Sequence, residues 1–134
     1  MIINISLEEY LNNKIKNIKC RTDTAAYVIN TLKNYQNSTY EFTNTSLTLQ
    51  FAEAKEESSF KKYNDLADHL LFMESIYPGA LSSKGASQEY YLSLGRVSYY
   101  KCYTLMNKTW PLYEELSDCL KDIIEQLHEE LIQA

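Results

Sequence analysis

Residues 60–105 read FKKYNDLADHLLFMESIYPGALSSKGASQEYYLSLGRVSYYKCYTL, and this stretch decides the fold. In its first part Phe60, Tyr63, Leu66, Ala67, Leu70, Leu71, Phe72 and Met73 recur at helical spacing. They wrap more than one face, the pattern of a central helix rather than a peripheral one. Ser58 or Ser59 supplies its cap, and the helix runs to about Ile76. Tyr77-Pro78-Gly79 stops it, because proline cannot continue a helix and pushes the preceding residue out of the helical region. A polar loop follows, and Ser87 caps a second helix over about 88–107. Gly95, Ser98 and Cys102 fall at i, i+3 and i+7 on that helix, forming a stripe of small side chains. A helical glycine costs about 1 kcal/mol relative to alanine. The stripe therefore predicts close packing against the preceding helix, and the whole stretch reads as a helical hairpin broken at 77–79.

The flanks extend the same pattern. Ser6-x-x-Glu9 is a capping box, and Leu7, Leu11, Ile15 and Ile18 follow it at helical spacing. Arg21-Thr22-Asp23 breaks that run and caps a second helix lined by Ala26, Ile29 and Leu32. Residues 37–46 are rich in Ser, Thr and Asn and read as a loop. Residues 46–57 alternate at first, as a strand would, but end in Ala-Glu-Ala-Lys-Glu-Glu, which favours a helix. Pro111 suits the first turn of a last helix reaching toward Ile132. Tyr113, Leu116, Leu120, Ile123 and Leu127 recur there at 3-4-3-4 spacing, a seam like that of a coiled coil. The expectation is an all-α chain: residues 1–134 as one compact bundle of about six helices.

Composition agrees and sets limits. The 134 residues include only three Gly and two Pro, too few for the many tight turns of an all-β fold. Twelve tyrosines outnumber four Phe and one Trp, so many rings should sit at the margin of the core with their hydroxyls bonded or in water. A Tyr-rich surface also suits protein contacts. The net charge of −5 argues against nucleic acid as a partner, and no stretch approaches the ~18 apolar residues of a membrane span. Three cysteines, Cys20, Cys102 and Cys119, without a CxxC pair suit a reducing cytoplasm, although signal-independent export stays open.

The chain carries no glycine-rich phosphate loop, GxSxG or HExxH motif. Asp65 and His69 stand four apart, and Glu125 and His128 three apart, as candidate metal ligands. A di-iron bundle needs a second Glu-x-x-His pair and two more glutamates, so no metal or cofactor is expected. Cys102 lies on the small stripe and reads as a buried thiol, while Asp118 and Asp122 beside Cys119 disfavour a thiolate. Asp68 sits inside the most apolar helix and requires hydrogen-bond partners if buried. Tyr91 and Tyr99 are the expected donors, giving a structural network of Asp68, Phe72, Pro78, Tyr91, Gly95 and Tyr99.

Ala67-Asp-His-Leu-Leu-Phe-Met-Glu-Ser-Ile-Tyr-Pro-Gly-Ala-Leu81 with Tyr90-Tyr-Leu-Ser-Leu-Gly-Arg-Val-Ser-Tyr99 resembles a family of small uncharacterised bacterial proteins. That pattern has Gly-Asp, Leu-Phe, a glycine two residues before an aromatic and then Pro, followed by Tyr-Tyr, Gly and Ala-Tyr. Asp68, Leu71, Phe72, Tyr77, Pro78, Tyr90, Tyr91, Gly95 and Tyr99 match it. Ala67, Ser75 and Ser98 are small-for-small departures, and Gly79 replaces a usual acid. The resemblance implies a bacterial protein with the hairpin as one unit, and implies no catalytic residues.

Together these features lead to a non-enzymatic interaction module, such as a bacterial adaptor, small chaperone, effector or regulator. Its candidate contacts are the seam of Tyr113, Leu116, Leu120, Ile123 and Leu127 and the acids Glu129 and Glu130. The seam could pair two copies of the chain. The acids, at a helix C-terminus where negative charge is disfavoured, could meet a basic protein. The alternative is an enzyme, small-ligand or metal-binding bundle using Asp68, His69 and nearby Tyr hydroxyls.

Overall fold

The computed structural model describes residue 9 and residues 18–37, 46–82 and 86–132. Among these it is all-helical, with α1 (Thr22–Asn37), α2 (Leu47–Glu57), α3 (Phe60–Ile76), α4 (Gln88–Leu105) and α5 (Pro111–Ile132). The described helices number five against the six expected. The expected helix after Ser6 lies outside the described residues apart from Glu9, which is helical. Ile18, at its far end, is buried in the core.

Local chemistry sets the helix limits. Ser46, Ser59 and Ser87 are extended N-caps whose hydroxyls accept from Leu49 N, Lys62 N and Tyr90 N. Each satisfies an amide that the first helical turn leaves without a partner. Ser58 turns left-handed (φ 48°) between α2 and α3, so the two helices meet with almost no loop. The alternating residues 47–51 are helical, because Ser46 caps the run and Leu47 and Ala54 face inward on one side. The break after α3 is wider than 77–79: the chain turns at Tyr77–Leu81, with Gly79 at φ 87°, and α4 begins only at Gln88.

α3 packs against each of the other four helices, and α4 packs closely along both α3 and α5. This central place follows from its girth of apolar residues. Leu66, Ala67, Leu70 and Leu71 are sealed from solvent, and Tyr63, Phe72 and Met73 nearly so. In α1 the buried positions are Thr24, Val28, Thr31 and Leu32, with Ile29 half-buried and Ala26 exposed. Tyr35 of α1 stacks on both His69 and Phe72, tying α1 to the back of α3.

The seam of α5 turns inward. Leu116 and Leu120 have no exposure, and Tyr113, Ile123 and Leu127 are also buried. These residues complete the chain's own core, so they present no seam to a second copy. The 3-4 spacing reports an apolar stripe, and α3 and α4 are what covers it. The small stripe of α4 explains how: a Cβ built on Gly95 would lie 2.9 Å from Leu120 Cδ2 and 3.6 Å from Leu70 Cβ. Gly95 thus admits α5 at least as closely as α3.

Gly95→Val should lower folding stability by about 2–3 kcal/mol, combining overpacking with a β-branched residue at a close crossing. Gly95→Ala should stay within about 1 kcal/mol of wild type, since gained helix propensity offsets movement of the Leu120 methyl. Urea denaturation of both variants checks this.

Candidate functional site

Asp68 sets a carboxyl group into the bundle, and four helices meet around it. α3 carries Asp68 and Asn64 one turn apart. Tyr27 comes from α1, Tyr99 and Cys102 from α4, and Tyr113 from α5. The Tyr99 hydroxyl donates to Asp68 Oδ1 at 2.7 Å, and the Tyr27 hydroxyl lies 2.6 Å from the same oxygen. Asn64 Nδ2 reaches Asp68 Oδ2 at 3.3 Å. Asn64 Oδ1 in turn lies 3.0 Å from the Tyr113 hydroxyl and 2.8 Å from that of Tyr27. The three tyrosine rings pack on one another at centroid distances of 5.7–6.4 Å, and Phe60 closes the cluster edge-on to Tyr113.

Burial decides the electrostatics. It pushes the Asp68 carboxyl up to about 6, against the opposing pull of the Tyr27 and Tyr99 hydroxyls. Burial and then the Asp68 charge push the Tyr27 and Tyr99 hydroxyls far above their ordinary value, so both remain donors. Cys102 is fully buried, its thiol near the Phe60 carbonyl, and burial first, then Asp68, pushes it up to about 12. A thiol in that state is no nucleophile. Cys119 is raised too, by burial and then by Glu115, Asp118 and Asp122, against Arg96.

Tyr91 is a correction. It takes no part in the Asp68 cluster; it packs half-buried against the core, edge-on to Tyr90. α3 and α4 run antiparallel, with Gln88 bonded to Glu74, Gly95 beside Leu70 and Tyr99 on Asp68. In that register Tyr91 faces a level near Phe72 and Met73, ~12 Å along the helix from Tyr99. Its place as second donor belongs to Tyr27, on a helix distant in sequence. Periodicity along the hairpin carries no signal for it. Phe72 is buried between Tyr35 and Tyr77, while Pro78 is exposed in the turn and acts only by ending α3.

The candidate metal ligands are not brought together. Asp65 is exposed and paired with Lys61, whereas His69 is buried on Tyr35. Glu125 is exposed and His128 half-buried on α5, and no group of three or more metal-binding side chains occurs among the described residues. Asp68 and His69 likewise turn to different partners.

A second surface lies on the outside of α4. Two residues along a helix lie about 200° round it, so Val97 points away from the small stripe that holds Gly95. Tyr90, Ser93, Val97 and Tyr100, spaced 3-4-3, form this outer stripe and are all exposed. Val97 is 42% and Tyr100 43% exposed; Leu105 and Trp110, also exposed, stand farther on toward the α4–α5 turn. Ser93, Arg96, Val97, Tyr100 and Ser117 line an open cleft of about 360 Å³ along the α4–α5 boundary. Across it Arg96 Nε donates to the Ser117 carbonyl at 3.0 Å, and the Ser117 hydroxyl donates to the Arg96 carbonyl at 2.9 Å. Glu114, Asp118, Asp122, Glu125 and Glu129 form an exposed row on α5, whose far part, Asp122, Glu125 and Glu129, lines a separate cleft with Lys19, Cys119 and Gln126. Tyr103, its hydroxyl raised by burial and then by Glu114, joins the row to the outer stripe of α4.

Tyr99→Phe should cost about 2 kcal/mol at pH 7, as a donor to a buried carboxyl is lost, and Tyr27→Phe a similar amount. In the Asp68→Asn background each loss should shrink; urea denaturation of the double-mutant cycle measures it. A thiol reagent should modify Cys102 only after unfolding, while Cys20 and Cys119 react slowly in the folded protein; peptide mass mapping distinguishes them.

No protein-family model, curated protein or solved structure matches the chain, so its function has to be read from the geometry of these residues.

Proposed function

We propose that the protein is a non-enzymatic interaction module that holds a basic, amphipathic segment of another protein along the α4–α5 boundary. The carrying observation is the exposed stripe of Tyr90, Val97 and Tyr100, with the exposed acids Glu114 and Asp118 near Tyr103 at its edge. Exposed aromatic and aliphatic side chains aligned on one helix face suit helix-in-groove recognition, where residues at i, i+3, i+4 and i+7 anchor the partner. Tyrosine adds a large contact area with few rotatable bonds.

The acidic row selects the partner's charge. Glu114 and Asp118 stand near Tyr103 at the edge of the outer face of α4, and Asp122, Glu125 and Glu129 continue the negative charge along α5 toward the cleft beside Lys19. Rim charges of one sign speed association with the opposite sign and repel like-charged segments. Arg96, the cation inside the cleft, has its Nε committed to the Ser117 carbonyl. The seam of α5 is taken up by the core, which favours the outer face of α4 as the docking surface.

A synthetic amphipathic helix of Lys and Leu should bind saturably by isothermal titration calorimetry, and its Glu-for-Lys counterpart should not. Val97→Glu and Tyr100→Glu should each weaken binding by tenfold or more, ~1.4 kcal/mol, with an unchanged circular dichroism spectrum. Raising salt from 50 to 500 mM, values chosen as roughly bracketing physiological screening, should weaken it further. Binding indifferent to both substitutions would place the contact elsewhere and remove this reading.

A further inference from the structure

The contacts around Asp68 contain one more heavy-atom pair than the ionised cluster has hydrogens to fill. The pairs are Tyr27–Asn64 Oδ1, Tyr27–Asp68 Oδ1, Tyr99–Asp68 Oδ1, Tyr113–Asn64 Oδ1 and Asn64 Nδ2–Asp68 Oδ2. Each hydroxyl has a single hydrogen, and the amide directs one toward Asp68. Tyr27 must therefore serve two acceptors, 2.8 and 2.6 Å away, with one hydrogen. Turning the Asn64 amide round does not help. Its nitrogen then donates to Tyr27 and Tyr113, but its oxygen faces Asp68 Oδ2 with no hydrogen between them. In either orientation the deficit is one.

We propose that the cluster is a proton-binding site in which Asn64 Nδ2 faces Asp68: a proton on Asp68 completes every contact, and its loss forces Tyr27 to give up one partner and loosens α1 from the α3–α4 hairpin. With the amide as first described, the carboxyl proton on Oδ1 donates to the Tyr27 hydroxyl, which then donates to Asn64. Tyr99, Tyr113 and Asn64 keep their bonds. When the carboxyl ionises, the Tyr27 hydrogen turns to the charged oxygen and its contact with Asn64 is left with two acceptors facing each other. Tyr27 belongs to α1, which also holds to α3 by the Tyr35 stack and by buried Val28 and Leu32, so the lost contact falls on that helix.

The surroundings support a retained proton. Tyr27 from α1, Tyr99 and Cys102 from α4 and Tyr113 from α5 face Asp68 as neutral groups, and Asp65 on α3 adds a like charge. His69, the next residue, turns to Tyr35. Burial lifts the carboxyl from its usual 3.8 to about 6. The folded protein thus binds the proton more tightly than the unfolded chain. The stability it contributes is full below about pH 4 and is lost as pH rises through about 6.

Infrared spectroscopy combined with amide hydrogen exchange over pH 4.5–8, a range set roughly around the expected titration, tests this. Wild type should show a protonated-carboxyl band that disappears through about pH 6 and is absent in Asp68→Asn. Protection of α1 amides, corrected for intrinsic exchange, should fall roughly tenfold over the same range in wild type and stay flat in Asp68→Asn. In Tyr27→Phe the band should remain while α1 protection ceases to follow it. The proposal is overturned if wild type lacks a titrating band, if α1 protection is flat with pH, or if the α1 step survives in Asp68→Asn or Tyr27→Phe.

Discussion

A carboxyl group inside an apolar helix bundle must be hydrogen-bonded, and the arrangement of four helices follows from how Asp68 meets that demand. Its partners come from outside its own hairpin as well as within it: Tyr99 across the α3–α4 contact, and Tyr27 from α1. Tyr113 of α5 reaches the same cluster through Asn64. The tyrosine rings provide apolar packing and the hydroxyls provide donors, so one residue type supplies both requirements of a polar group in a core. Three of the twelve tyrosines are used in this way, while Tyr77, Tyr90 and Tyr100 are exposed.

Close approach is the second constraint. α4 contributes two stripes at the same helical spacing, Gly95-Ser98-Cys102 and Tyr90-Ser93-Val97-Tyr100. The smaller one faces inward because Leu70 and Leu120 occupy the space a side chain at 95 would need. The larger one is left outside as a consequence. An interior packed at crystal density leaves no room for Tyr100 and Val97 on the same side as Leu120. The apolar outer face of α4 is therefore a by-product of core geometry.

How much was legible follows from the range of each signal. Ser59 and Ser87 as caps, Pro78 as a stop and Pro111 as a start act over a few residues, and the helix limits follow them. Asp68 and Tyr99 stand on neighbouring helices joined by a short break, so their pairing was within reach. Tyr27 was not, since it lies 41 residues from Asp68 and no periodicity links them. Tyr91 was misplaced because helical spacing specifies a face but not the level at which two helices meet.

The amino-acid sequence by itself determined that the chain is helical, where most helices start and stop, and that α3 is enclosed. These properties arise from backbone hydrogen bonding and from apolar residues repeating over a turn or two. Only the tertiary structure decided which stripe of α4 and α5 faces the core, which tyrosines reach Asp68, and which apolar surface stays exposed. Those outcomes depend on relative rotation and register between helices. Volumes and hydrogen-bond donors contributed by distant segments set them, and no local pattern encodes that sum.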